Sequence, residues 1–197
     1  MKKLIIVAGV AGSGKSYIGK EIAKRIDNCV YLDKDTQTRV LVDSFLFCLG
    51  KDETDRESNE YLEKIRPKEY ECLIKQGLEN IELNKSCILS APFIKEINDS
   101  NYFNDLMDEL EFEDSELKFI WVKTNEESAR KRIIDRNAKR DENKINNWTQ
   151  YINSVNHSYI PNLDFEIFTI DNSLNTNENI IRQIDNAIDY ININKEL

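Results

Sequence analysis

The chain contains one histidine, three prolines and six glycines among 197 residues. The lone His157, and four cysteines (Cys29, Cys48, Cys72 and Cys87) that never approach a CxxC spacing, leave few ligands for a zinc cluster. The cysteines are expected instead as buried, reduced thiols, which points to the cytoplasm. No Gly/Ser/Pro tract could serve as a linker and no segment repeats, so residues 1–197 read as one domain, long enough to bury a single core. No apolar run approaches the roughly 20 residues of a membrane span. Met1-Lys2-Lys3 ahead of Leu4 to Gly9 has the outline of a signal peptide, but the apolar run is brief and reads as a first strand. Positive charge is also scarce: 27 Lys and Arg against 36 Asp and Glu give a net −9. That balance argues against a broad nucleic-acid surface and leaves room only for a local basic channel.

What is present is regular. Five short apolar runs rich in β-branched or aromatic residues predict strands: Leu4 to Ala8, Cys29 to Leu32, Cys87 to Ala91, Phe119 to Val122 and Phe165 to Ile170. Between them, Ile18, Ile22, Ala23 and Ile26 share a helical face, as do Tyr102, Phe103, Leu106, Met107 and Leu110, and Ile180, Ile181, Ile184, Ile188 and Ile191. Continuous apolar strands alternating with amphipathic helices predict an α/β fold, a five-stranded mainly parallel sheet flanked by helices. The stretch from Asp33 to Lys85 is longer than a simple crossover requires. Residues 36–84 are therefore expected to include a helical insertion on the substrate side, with Pro67 in the first turn of its second helix.

Gly9-Val10-Ala11-Gly12-Ser13-Gly14-Lys15-Ser16 fits GxxxxGK[ST], directly after a predicted strand and at the start of a predicted helix. Glycines permit a tight loop whose N–H groups converge on phosphate oxygens, and the helix N-terminus adds positive potential. Gly9, Gly12, Ser13, Gly14, Lys15, Ser16 and Tyr17 are thus candidate ATP-binding residues, with Lys15 directed to the β and γ phosphates and the Ser16 hydroxyl to Mg²⁺. A chance match would arise in roughly one chain in a hundred of this length, fewer with the flanking strand and helix required. There is neither an NKxD nor a DxxG motif, which disfavours a GTPase, and 197 residues leave little room for the lid domain of an AAA+ motor. The pattern suits a P-loop protein of the nucleoside-monophosphate-kinase type.

Three further segments carry a resemblance: Tyr31-Leu32-Asp33-Lys34-Asp35-Thr36, Ser90-Ala91-Pro92-Phe93, and Arg136 through Arg140-Asp141 with Lys144 and Trp148. Together with the loop they resemble a family of small bacterial P-loop ATP-binding proteins described as predicted kinases, related to zeta toxins, chloramphenicol phosphotransferase and polynucleotide kinase. The resemblance implies an ATP- and Mg²⁺-dependent phosphotransferase acting on a hydroxyl of a small-molecule acceptor. It implies that Asp35, or second to it Asp33, is the carboxylate that orients the acceptor and takes its proton. The family would carry an acidic residue where Ser90 stands, so Asp33 is the candidate to share Mg²⁺ with Ser16.

Arg132, Arg136 and Arg140 recur every four residues in a helix predicted from about Asn125. Residues 126–148 are accordingly expected to form a helical lid, with Arg132 and Arg136 catalytic and Arg132 also on the nucleotide; a solvated, ion-paired face is the alternative. Arg39, Arg56 and Arg66 are candidates to hold an anionic acceptor. Trp148 and Tyr151 are expected to anchor the lid's return to the core, and Asp171, Asn172 and Ser173 to lie near adenine or to form an ordinary turn. Two other readings stay open: a toxin-like or polynucleotide-type kinase acting on a nucleotide sugar or nucleic-acid end, and a non-catalytic ATP-binding module.

Overall fold

A computed structural model describes residues 1–156, 159–173 and 176–193. His157, expected to be structural, lies outside the described residues. Five strands, β1 (Lys2–Ala8), β2 (Cys29–Asp33), β3 (Ser86–Ser90), β4 (Ser115–Lys123) and β5 (Ile167–Asp171), form one sheet in the order β2-β3-β1-β4-β5, with every pairing parallel. The apolar runs lie in these strands because both faces of the sheet are covered, so the middle of a central strand is apolar on both sides; the buried charges at the amino ends of β1 and β4, Lys3, Glu116 and Lys118, pair with one another.

Alternation along β1 divides the core. Leu4, Ile6 and Ala8 face α3 (Arg66–Glu82) and α4 (Ser100–Phe112). Phe103 anchors that layer and meets Phe119 and Phe165 edge-on at 5.4 and 5.7 Å. Ile5 and Val7 face α1 (Lys15–Ala23) and α8 (Asn177–Asn192), where Ile18, Ile22, Ile184 and Ile191 close the second layer. The chain leaves β1 through α1 for edge strand β2 and returns to insert β3 between them. The crevice for ligands therefore opens at the carboxyl ends of β1, β2 and β3, where an open α/β sheet binds them.

The 36–84 stretch is two different things. Its second half, α3, is an ordinary crossover helix, with Tyr70, Leu73 and Ile81 in the main core. Only α2 (Lys34–Cys48) and the segment to a π-helical turn at Tyr61–Ile65 stand outside the sheet, around a small core of Val42, Leu46, Tyr61 and Ile65. The thiols also depart from expectation: Cys87 is buried and Cys29 half-buried, but Cys48 and Cys72 are exposed, on helix positions facing away from both cores. Among the described residues, no helix is long and apolar enough to cross a membrane.

Candidate active site

The loop between β1 and α1 is held open by backbone conformations that side chains disfavour. Gly12 and Gly14 have φ of +80° and +89°, and a Cβ on either would stand 2.7 Å from the Ala129 carbonyl oxygen or 2.2 Å from Asn172 Nδ2. Those close approaches pack the loop against its support. Asn172 Nδ2 donates to the Ser13 carbonyl at 2.8 Å, fixing the turn from a position just past β5. Ser13 is buried and its hydroxyl has no hydrogen-bond partner, while the Tyr17 side chain points out to solvent.

At the first turn of α1, Lys15 makes no hydrogen bond or ion pair among the described residues. Burial pulls its pKa down to about 8, an effect only partly offset by the carboxylates of Asp35 and Asp33. A half-buried ammonium without an ion pair, at the amino end of α1, is a site suited to an anion. Next to it, Ser16 Oγ donates to Asp33 Oδ2 at 2.9 Å. Asp33 ends β2 and caps α2, its Oδ1 accepting from the Thr36 N–H at 3.1 Å. It stands directly beside Ser90 in the sheet register. The Ser90 hydroxyl is buried without a well-formed hydrogen bond, although the Tyr31 hydroxyl is near. Two hard oxygen donors beside an under-satisfied buried hydroxyl fit Mg²⁺ held largely by water, with the carboxylate supplied by β2 in place of β3.

Facing Lys15 across a cavity of about 320 Å³ is Asp35 in the first turn of α2. Its Oδ2 accepts from Arg140 Nη1 at 2.6 Å and its Oδ1 lies 3.1 Å from Lys34 Nζ. Burial pushes the Asp35 carboxyl up, but Lys34, Arg140 and Lys15 together outweigh it and hold the group well below the usual carboxylate range. The wall contains six cations, Lys15, Lys20, Lys34, Arg39, Arg136 and Arg140, against Asp33 and Asp35. In a chain of net −9, that inversion marks the cavity as an anion site.

The three arginines expected on one helix face separate. α5 (Glu126–Arg136) stops because Asn137 adopts a left-handed conformation at φ +45°, and Arg140 belongs to a following 3₁₀ turn at Lys139–Asp141. Arg132 turns away from the cavity: Nη1 donates to the Gly12 carbonyl at 3.2 Å and to Thr124 Oγ1 at 3.0 Å, and Nη2 to the Asn172 carbonyl at 2.5 Å. It braces the loop from behind, and in this arrangement its donors are committed there. Arg136 lines the cavity while gripping Asp141, through Nη2 to Oδ1 at 2.7 Å and Nε to Oδ2, with Lys144 3.3 Å from the same carboxylate. Burial raises the Asp141 pKa, and these cations reverse the effect and hold it low. Trp148, at the start of α7 (Trp148–Ser154) after the short α6 (Glu142–Asn146), donates from Nε1 to Glu126 at 2.9 Å and so ties the start of α7 to α5.

Of the arginines considered for an acceptor, only Arg39 reaches the cavity. Arg66 is committed to Glu96, at 2.8 and 3.0 Å, and Arg56 to Asp43. Among the cationic wall residues, Lys20 and Lys34 have no site role in the sequence reading, and Arg140 enters it only as the third of the period-four arginines, outside the catalytic pair Arg132 and Arg136. Lys20 had a signal, lying four residues after Ser16 on one helix. For Arg140 the four-residue spacing is a signal, but it points to a shared helix face and not to the turn that follows α5.

Residues 4–155 match the model of an AAA domain family, and the chain belongs to that family. Its fold is that of P-loop kinases. It is similar to a sugar kinase from Janibacter sp. HTCC2649, with 14% identity over 98% of this chain and 96% of that one at a TM-score of 0.62. It is similar also to a putative kinase from Chloroflexus aurantiacus J-10-fl, with 15% identity over 96% of each chain at 0.60. A gluconokinase from Sinorhizobium meliloti 1021 matches at 15% identity over 96% of this chain and 93% of that one, at 0.56. At these identities the likeness is one of fold. No curated protein matches the sequence.

Proposed function

We propose that this chain is an ATP- and Mg²⁺-dependent phosphotransferase that phosphorylates a hydroxyl group of a small molecule. The observation that carries the reading is the placement of an unpaired Lys15 and the Asp35 carboxylate on facing walls of one cation-rich cavity at the mouth of the phosphate loop. An ATP-binding module without transfer would need the first but has no use for the second.

In this reading the N–H groups of the loop and the Lys15 ammonium hold the β and γ phosphates, fixing the γ phosphorus opposite Asp35. Mg²⁺, held by Ser16 and Asp33 through water, would neutralise charge on those phosphates. Arg136 and Arg140 offset the charge of the transferring phosphoryl, which is where such donors lower a barrier most. The acceptor oxygen bonds to phosphorus as the bond to the β,γ-bridging oxygen breaks and ADP departs, and the hydroxyl proton passes to Asp35 and on to solvent. A carboxylate held so acidic is a weak base, so Asp35 contributes chiefly by orienting the hydroxyl, with the proton moving late. Arg140 must first let go of Asp35. The incoming triphosphate offers it a stronger anionic partner, which couples nucleotide arrival to release of the acceptor-binding carboxylate.

The excess of cations on the cavity wall also favours a second reading, in which the acceptor is a nucleotide sugar or nucleic-acid end. A screen of ATP consumption across nucleosides, sugars, antibiotics and nucleic-acid ends, with mass determination of products, decides between them. A product heavier by one phosphoryl group supports transfer and identifies the acceptor. ATP binding with no product from any class reduces the chain to a binding module.

A further inference from the structure

Beneath Asp35 lies a buried polar cluster centred on a carboxylate that does not line the cavity. Glu69, on α3, is 4% exposed. Its Oε1 accepts from Lys34 Nζ at 2.8 Å and from Thr38 Oγ1 at 2.6 Å, and its Oε2 accepts from the Tyr61 hydroxyl at 2.7 Å. Lys34, Thr38 and Tyr61 are themselves only 5–6% exposed. Such a cluster is not the cheapest way to join α2 to α3, since replacing a buried ion pair with apolar side chains is often neutral or stabilising. One member, however, reaches the cavity: the Lys34 ammonium that Glu69 holds also lies 3.1 Å from Asp35 Oδ1.

We propose that Glu69 is a positioning residue that acts through Lys34 to aim the Asp35 carboxylate at the acceptor. The inference rests on the reading of Asp35 given above. The two oxygens of Asp35 are held differently. Oδ2 is held by Arg140, from a 3₁₀ turn joined to the insertion by exposed pairs. Oδ1 is held by Lys34, which is buried and hydrogen-bonded to Glu69, itself held by Thr38 and Tyr61. When Arg140 leaves for the phosphates, Oδ2 is freed toward the acceptor while Oδ1 stays anchored. Glu69 also balances the Lys34 charge. Without it, the buried ammonium has Asp35 as its only carboxylate partner and draws that group down out of the cavity.

The test uses the full chain, Mg-ATP and water as acceptor, with phosphate release as the readout. Glu69→Gln is expected to lower kcat about tenfold with the KM for ATP unchanged, and to cause no further loss in an Asp35→Asn background, the non-additivity of residues acting as one unit. If circular dichroism shows Glu69→Gln unfolded, Lys34→Met combined with Glu69→Gln removes both buried charges and is expected to give the same pattern. Equal losses with and without Asp35, or a rise in KM at constant kcat, overturn the proposal and leave Glu69 a structural residue. Asp35→Asn with unaltered release removes instead the reading of Asp35 on which the proposal stands.

Discussion

The two walls of the cavity are built by different physics. The phosphate-loop wall is backbone packed on backbone: Gly12 lies against Ala129, Asn172 reaches in to Ser13, and Arg132 ties Gly12 to the turn after β5. The opposite wall is joined to its cover by charge across gaps, Arg140 to Asp35 at 2.6 Å and Lys139 to Asp52 and Glu53 at 4.0 and 3.9 Å. Exposed pairs of the latter kind contribute about 0–1 kcal/mol each and weaken with salt, whereas a displaced loop would leave buried polar groups unsatisfied. In the proposed function, binding falls to the preformed wall and turnover to the wall that must rearrange.

The largest expected effect comes from breaking the rigid wall at Lys15. Lys15→Met should lower ATP turnover by about 10³-fold or more, because charge stabilisation at the transferring phosphoryl is lost. The same change should raise the melting temperature by roughly 2–4 °C, since it removes a desolvated cation with no partner. A fall in both would mean that Lys15 is an ordinary structural residue. Asp35→Asn strikes the other wall. It should lower transfer about 10²-fold while ATP affinity, measured by calorimetry, stays the same or improves as Arg140 is released. Arg140→Ala should cost transfer about tenfold and raise the share of ATP lost to water, as an incomplete cover admits it. Transfer and hydrolysis falling together would place Arg140 outside the latch. The smallest effect on chemistry is expected at Arg132. Arg132→Ala should lower stability by about 1–3 kcal/mol through three lost hydrogen bonds, with turnover per bound ATP unchanged. A loss of turnover at full stability would return Arg132 to the catalytic role that its spacing suggests.

The sequence carried the rigid wall more fully than the moving one. The loop motif is local in the chain, and so are the strand that precedes it and the helix that follows, so Lys15, Ser16 and their surroundings could be read from residues a few positions apart. The five strands were legible because burial on both faces writes itself as continuous apolar runs. α3 was folded into the insertion because a long gap between strands hides which helix covers the sheet; the distinction rests on Tyr70, Leu73 and Ile81 reaching the core. The spacing of Arg132, Arg136 and Arg140 was misleading for a physical reason. Period-four regularity implies a shared face only while the helix lasts, and Asn137 ends it one residue after Arg136. Contacts between distant segments, Arg140 with Asp35 or Glu69 with Lys34, leave no local trace in a single sequence.

The central claim, that the preformed wall binds a nucleoside triphosphate through Lys15, is tested most directly by calorimetric titration of Mg-ATP at pH 8.5 in two buffers of different ionisation enthalpy. The free Lys15 pKa, lowered by burial to about 8, leaves part of that side chain neutral at this pH, and bound phosphate raises the pKa, so binding takes up protons. The expected result is a binding heat that differs between buffers in the direction of proton uptake, an affinity that falls as pH rises above about 8, and loss of the uptake in Lys15→Met. Binding with no buffer dependence, or no binding of Mg-ATP, would contradict it.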